Sequence, residues 1–405
     1  MESRDIQFDF IYGLSILLFI LSPIIGFVFF TIITIVDYNS HKRFQDTWFI
    51  LATILICLIQ WNRIVESGQP SDWVGGYKKF YEMVDRMPFS QYLTYRGKEP
   101  IYSIINYFGY YLTFGRFELF AKSIAIICIS VTGFSIYKFW KSQNTNDVSI
   151  LMAMVGMTYY FTEFFSQLQN LLRMWFALSF VILFMTITEV YKRNPWKWLL
   201  TISFVHTVTA IFFGLSFIKP LRDKINLKGI LQIIVITCAF MFLLSKISFF
   251  QSLFSNSEIL SYGIKRLASS TNPMDKNFMD PIHLQMICGL LISVCLYYLY
   301  IKKDQVQNIY IINVAIVLFS VVFGIITLAP ELGGRIYVMR FFLLPFIVPF
   351  LLYKTRLSYI YCVGIFAFCF IRFIMEFDNM RGGGFFPPIS EMLSYTIFHY
   401  VLYPV

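Results

Sequence analysis

The sequence predicts an all-α polytopic integral membrane protein, with about 11–12 transmembrane helices and two large loops on one side of the bilayer. Three observations lead there. Hydrophobic residues make up 58% of the 405-residue chain and charged residues only 14%, against roughly 45–50% and 25% in soluble globular domains. The apolar residues fall in continuous runs of about 20, the length a helix needs to cross a bilayer. The basic residues crowd into one alternate set of the loops between those runs, as the positive-inside rule requires. A mean hydropathy of +0.66 excludes a soluble domain, a disordered chain and a coiled coil. The run length excludes an outer-membrane barrel, whose strands alternate over about 10 residues.

The apolar runs bounded by charge are 10–36, 47–61, 118–137, 148–165, 172–190, 196–218, 229–250, 283–301, 307–329, 337–353 and 357–376. Pro23, Pro345 and Pro349 lie inside runs, which is tolerated where neighbouring helices satisfy the freed carbonyls. There is no internal repeat and no soluble domain, so residues 1–405 read as a single transmembrane domain. Its two large hydrophilic loops are 62–117 and 251–282.

Charge orients the chain. The short loops 37–46, 138–147, 191–198, 219–228, 302–306 and 354–356 carry 15 Lys and Arg against 5 Asp in 46 residues. The remaining connections are about three times longer and have no basic excess. The first set is therefore expected in the cytoplasm, and the N-terminus, both large loops and the C-terminus outside. The net charge of +10, from 33 Lys and Arg against 23 Asp and Glu, follows from orientation and does not indicate nucleic acid. The run 196–218 has basic flanks on both sides, which a single crossing cannot produce. A re-entrant or doubled segment is expected there. The acidic stretch Met1–Asp9 before the first run argues against a cleavable signal peptide.

Seven cysteines at 57, 128, 238, 288, 295, 362 and 369 all lie in apolar runs and read as small core residues. No metal-ligand or catalytic signature such as HExxH, GxSxG or a Walker loop occurs, so neither cofactor nor metal is expected. The hydrophobic centres hold no Asp, Glu, Lys or Arg, unlike those of an ion-coupled transporter. Polarity gathers in the outward half, which points to a site open to the outer face.

Within 62–117, Tyr77, Phe80, Tyr81 and Val84 fall on one helical face, with Lys78, Lys79, Glu82 and Arg86 elsewhere. This reads either as an amphipathic helix on the membrane surface or as an aromatic platform for sugar rings. Asp72, Arg96 and Glu99 lie in the same loop. Asn170 and Arg173 open the run 172–190 at its outer end, and arginine suits bidentate diphosphate binding. The alternative for Arg173 is a cation that snorkels to the interface. His206 stands in the re-entrant segment, either as a hydrogen-bonded packing residue or as a general base. Arg335 follows a Gly-Gly pair that lets backbone approach a ligand. Lys265 and Arg266 form a third outward cationic pair, with Asp275 and Asp280 nearby to balance them.

Three stretches resemble the EpsG/Wzy-like family of bacterial polysaccharide polymerases. The first is Asp72-Trp-Val-Gly-Gly-Tyr77-Lys-Lys-Phe-Tyr81, with Glu99-Pro100-Ile-Tyr102 after it. The second is Asn170-Leu-Leu-Arg173, and the third Phe204-Val-His206. In order and spacing they cover about residues 70–215. Met174 stands where the family often has Gln.

The resemblance implies an O-antigen or surface-polysaccharide polymerase of GT-C-like fold in the bacterial inner membrane. Such an enzyme joins undecaprenyl-diphosphate-linked oligosaccharide repeat units on the periplasmic face, with membrane lipid and a chain-length regulator protein among its partners. It needs no nucleotide, because the lipid diphosphate is itself an activated leaving group. The expected catalytic residues are His206, Asp72 and Glu99. The expected substrate-binding residues are Arg173, Asn170, Arg335, Arg96, Tyr77, Tyr81 and Arg266. A flippase or an O-antigen ligase for similar substrates is the alternative.

Overall fold

The computed structural model describes residues 2–37, 44–64, 73–96, 99–143, 147–161, 171–223, 309–325, 336–351, 356–377 and 386–402, with positions 165, 168, 229, 232, 235, 236 and 239. The described residues are helical or irregular, with no strand among them. Three helices are long and apolar enough to cross a membrane, Phe117–Ser142, Leu172–Tyr191 and Ser358–Glu376. The chain is a membrane protein of all-helical architecture. The predicted runs 229–250 and 283–301 and the loop 251–282 lie almost wholly outside the described residues.

The chain divides into two compact units. One comprises Met1–Thr186, Lys197–Ala210 and Val348–Val405, and the other Ile187–Trp196 and Ile211–Ile347. The first unit opens with α1 (Glu2–Leu21) and α2 (Pro23–Val36). The sequence suggests one crossing over 10–36, and the structure corrects this. Ser22 leaves the helical conformation before Pro23, which starts α2 at a position where its missing N–H costs nothing. The chain then folds back on itself. A Cβ on Gly26 would lie 2.2 Å from the Phe19 backbone nitrogen, so only glycine allows this approach. The Tyr12 ring meets Phe30 at 5.1 Å and stacks on Phe44 at 3.8 Å. Tyr12 on α1 therefore lies at the same end of the unit as Asp37 and Phe44. The sequence expectation put the N-terminus and Asp37 on opposite sides, and the hairpin of α1 and α2 brings them to the same end.

α3 (Gln45–Trp61) follows, then a π-helical turn at Trp73–Lys78, α4 (Lys79–Glu82) and a 3-10 turn at Met83–Arg86. The stretch is helical as expected, but Tyr77, Tyr81 and Val84 are buried within the protein. Its apolar face packs inside the protein, with Tyr77 against Tyr102 and Arg173, and Tyr81 against Tyr110, Phe117 and Phe120. α5 (Phe89–Arg96) and α6 (Pro100–Leu112) complete that loop.

α7 (Phe117–Ser142) and α8 (Val148–Tyr159) form the centre of this unit with α3 and α14 (Ser358–Glu376). Asp147 starts α8 by accepting the Ser149 backbone N–H at 2.9 Å. Aromatic rings fill the contact with α14, among them Tyr160 with Phe370 at 4.9 Å and Phe373 at 5.6 Å. Of the described free cysteines, 128, 362 and 369 are buried, as expected of small core residues, and Cys57 is half-buried. α15 (Ile389–Met392) and α16 (Ile397–Leu402) close the chain over α3, where Asn62 donates to the Tyr400 carbonyl at 3.0 Å.

α9 (Leu172–Tyr191) precedes the re-entrant candidate. That segment is broken, with α10 (Trp196–Ser203), a 3-10 turn at Thr207–Thr209 and α11 (Ala210–Ser216). At about 1.5 Å per residue each half-helix is roughly 12 Å or less, under half of a bilayer core of about 30 Å. Asn194 donates to the Ser216 carbonyl at 3.1 Å, and the rings of Trp196 and Phe217 meet at 6.2 Å. The segment returns to where it began, which explains why both flanks are basic.

In the second unit, α12 (Ile309–Ile325) begins against Glu189, whose carboxylate accepts the backbone N–H groups of Tyr310 and Ile311 at 2.8 and 3.2 Å. The predicted crossing 337–353 is not one continuous helix. It comprises α13 (Arg340–Leu343) and two 3-10 turns at Leu344–Phe346 and Val348–Phe350, because Pro345 and Pro349 remove the donors a helix would need.

Candidate functional site

Glu99 owes its position to Pro100. A residue before proline is pushed out of the helical region, and Glu99 lies outside it at φ −138° and ψ 68°. It sits at the N-cap of α6, yet its carboxylate does not cap the helix. It turns instead to Arg173 and forms an ion pair across 74 residues of sequence.

Arg173 lies in the first turn of α9. A cation is disfavoured there, because a helix N-terminus already carries partial positive charge. The two together make an anion-binding position, and Glu99 fills it. The guanidinium also lies over the rings of Tyr77 at 5.2 Å and Tyr102 at 5.7 Å. These aromatic faces attract the cation and hold its plane. Its Nε is buried and has no hydrogen-bond partner among the described residues, while the side chain as a whole is 26% exposed. The fork is thus reachable and incompletely used.

His206 caps the 3-10 turn of the re-entrant segment. Its Nδ1 accepts the Val208 backbone N–H at 3.4 Å. Thr209 stiffens the turn by donating its hydroxyl to the His206 carbonyl at 2.7 Å. With Nδ1 as acceptor, the neutral ring carries its proton on Nε2. That atom lies 3.9 Å from the second Glu99 oxygen, an ion-pair distance for the protonated ring. One carboxylate therefore stands between an arginine and a histidine, in a pocket of tyrosine rings. The chemistry available is anion binding at Arg173 and proton transfer at Glu99.

Of the residues expected from sequence, the structure brings together Glu99, Arg173, His206 and Tyr77. Tyr81 is placed otherwise. It is fully buried among Tyr110, Phe117 and Phe120, its hydroxyl is bonded to Thr113, and burial raises its phenol above the ordinary range. Arg63, at the start of the first large loop, is also fully buried. Asp72, Asn170, Arg335 and Arg266 lie outside the described residues, as does the Arg96 side chain. Among the described residues no group of three or more His, Cys, Asp or Glu could hold a metal. Tyr102 was not among the candidates, although it lies in the Glu-Pro-x-Tyr stretch. The signal was its spacing: three residues after Glu99 on a helix starting at Pro100, it lies on the same face as Glu99.

An all-helical membrane protein with a cationic, tyrosine-lined anion position and an adjacent carboxylate fits the polysaccharide polymerase-like class of glycosyltransferases. The chain belongs to the EpsG family, which matches residues 46–388 and is Wzy-type polysaccharide polymerase-like. No curated protein and no solved structure matches the chain.

Proposed function

We propose that the protein is an O-antigen or surface-polysaccharide polymerase of the bacterial inner membrane, acting on the periplasmic side. It joins repeat units carried on undecaprenyl diphosphate. The single observation that carries this reading is the Glu99 carboxylate held between Arg173 and His206. It unites three stretches that are far apart in sequence, each of which resembles the family pattern.

In the proposed reaction the donor diphosphate takes Arg173, with Asn170 and Arg335 as further ligands and Arg96 and Arg266 guiding the anionic substrate. Tyr77 and Tyr102 flank the guanidinium and the first sugar. Glu99 removes the proton from the acceptor hydroxyl of the incoming lipid-linked unit. The acceptor oxygen bonds to the donor's anomeric carbon, the bond from that carbon to the phosphate oxygen breaks, and undecaprenyl diphosphate leaves with its charge stabilised by arginine. His206 orients Glu99 and bears the proton on Nε2 that faces it. Asp72 is the remaining candidate base. No cofactor takes part, and a chain-length regulator is the expected protein partner.

The test is the surface-polysaccharide ladder of a deletion strain. Single repeat units at the surface, with long chains restored by the intact gene, are the expected result. Loss of all surface glycan points instead to a flippase or a ligase and overturns the reading.

A further inference from the structure

We infer that α6 and the turn after it form an anchor that lies in the outer lipid–water interface beside α7, the bilayer being the partner of this surface. From Pro100 to Gly115 there is no charged residue. One face of α6 is spent on the protein. Tyr102, Ser103, Asn106 and Gly109 are buried, and Gly109 sits so close to α7 that an added Cβ would lie 2.3 Å from the Phe120 ring. The opposite face carries Phe108, Tyr111 and Leu112, all exposed, the last at 77%. Phe89 extends this face, with its ring 4.9 Å from Tyr107 and 6.0 Å from Phe108. Aromatic residues on a charge-free helical face are the composition of the membrane interface, where ring and hydroxyl find apolar and wet surroundings together.

The turn adds a second, independent observation. Phe114 has φ +54° and Gly115 φ +72°, and the Gly115 N–H bonds to the Tyr110 carbonyl at 2.8 Å. This is a left-handed helix ending, where the first position normally belongs to glycine or asparagine. A phenylalanine there is sterically strained, and its ring, 86% exposed, makes no packing contact large enough to account for it. Strain held for the sake of an exposed apolar ring implies a partner for that ring. The occupant follows from position. Phe114 lies three residues before Phe117, where α7 begins, and α7 is long and apolar enough to cross the bilayer. The ring is therefore within one turn of the level at which the chain enters the membrane. Arg116 and Glu118, both exposed, mark the water side of that level. Because Glu99 and Tyr102 lie at the start of the same helix, the anchor also sets the height of the Arg173 cluster above the lipid.

The test uses the full chain in proteoliposomes. A fluorophore is attached to cysteine at Leu112, at Phe114 and, as an exposed control on α4, at Lys79, the parent chain giving the background. Nitroxide-labelled lipids should quench the labels at 112 and 114, and iodide should reach them several-fold less well than the label at 79. Iodide access at 112 and 114 equal to that at 79, without lipid quenching, overturns the anchor. So does shielding that appears only after oligosaccharide is added, which would mark a glycan surface. A second variant guards against a merely local effect. Phe114→Asn together with Phe108→Ser keeps a residue that tolerates the left-handed turn and removes both rings. Iodide access at 112 should then rise several-fold at unchanged protein level, and unchanged shielding overturns the role of the rings. The readout is lipid contact and not glycan, so it stands or falls independently of the polymerase reaction.

Discussion

Replacing Glu99 with Gln should move binding and turnover in opposite directions. The carboxylate now occupies the position on Arg173 that a diphosphate would take. A bound anion must displace it, losing a charge-assisted hydrogen bond of about 1.5–3 kcal/mol. Arg173 is 26% exposed on its side chain, and solvent screening favours the lower end. Removing the competing charge should therefore strengthen binding of a diphosphate by about tenfold, at roughly 1.4 kcal/mol per decade. The same change removes the proposed base, whose contribution is typically about 10²- to 10⁴-fold. The assay pairs two measurements on Glu99→Gln. One is the affinity of purified protein in nanodiscs for farnesyl diphosphate, and the other the polysaccharide ladder in cells at matched membrane protein level. Tighter binding with a ladder reduced to single units is the expected pair. Weaker binding would show that Glu99 shapes the anion position instead of competing for it. A full ladder would remove Glu99 as base.

Arg173→Ala should abolish polymerisation without loss of protein, and Arg173→Lys should restore it only partly, since a point charge lacks the bidentate fork; full ladders with Lys would make Arg173 an interfacial anchor. His206→Gln should retain more chain length than His206→Ala if His206 orients Glu99, whereas equal loss in both at normal protein level would make the histidine the base. Glu189→Ala should lower thermal stability by about 1–3 kcal/mol through the two backbone N–H groups of α12 it leaves without an acceptor, read as melting temperature in detergent; an unchanged melting temperature refutes the capping role. Cysteines at Ser71 and Ser257 should react with an impermeant reagent from outside and those at Ser142 and Ser3 should not; labelling at Ser3 would overturn the hairpin of α1 and α2.

Much of the membrane architecture was legible because it rests on additive properties of residues. Run length located α7, α9 and α14, and loop charge identified 196–218 as a segment that returns, a result now visible in the Asn194–Ser216 bond. What composition could not show was where a run bends. Residues 10–36 and 337–353 satisfy any hydropathy window, and their breaks depend on what a proline or glycine meets in three dimensions. Ser22-Pro23 folds back because Gly26 lets the Phe19 backbone approach. For the stretch 76–87 the membrane-surface reading fails for a related reason. Periodicity finds an apolar face, but it does not distinguish lipid from protein as the material that covers it. Tyr77 and Tyr81 are covered by protein, while Phe108, Leu112 and Phe114, which stand out less in the sequence, are not.

The candidate site was legible as a set of residues and not as an arrangement. Glu99 and His206 were expected as alternatives for one role, and the proposed reaction gives them different ones. A histidine whose Nδ1 accepts a backbone N–H has its remaining proton on Nε2, and here that atom faces the carboxylate. It has no lone pair directed at a substrate hydroxyl on that side, whereas Glu99 has oxygens between two cationic or proton-bearing groups. The same geometry explains the lack of charge in the hydrophobic centres of the runs. Glu99 reaches Arg173 from a non-helical residue before a proline, and His206 comes to it on the turn between two half-helices. Both chemical groups are thus supplied by irregular backbone, which a membrane protein tolerates where it is enclosed by protein or lines a cavity, and no spanning helix has to carry a charge through lipid to build the site.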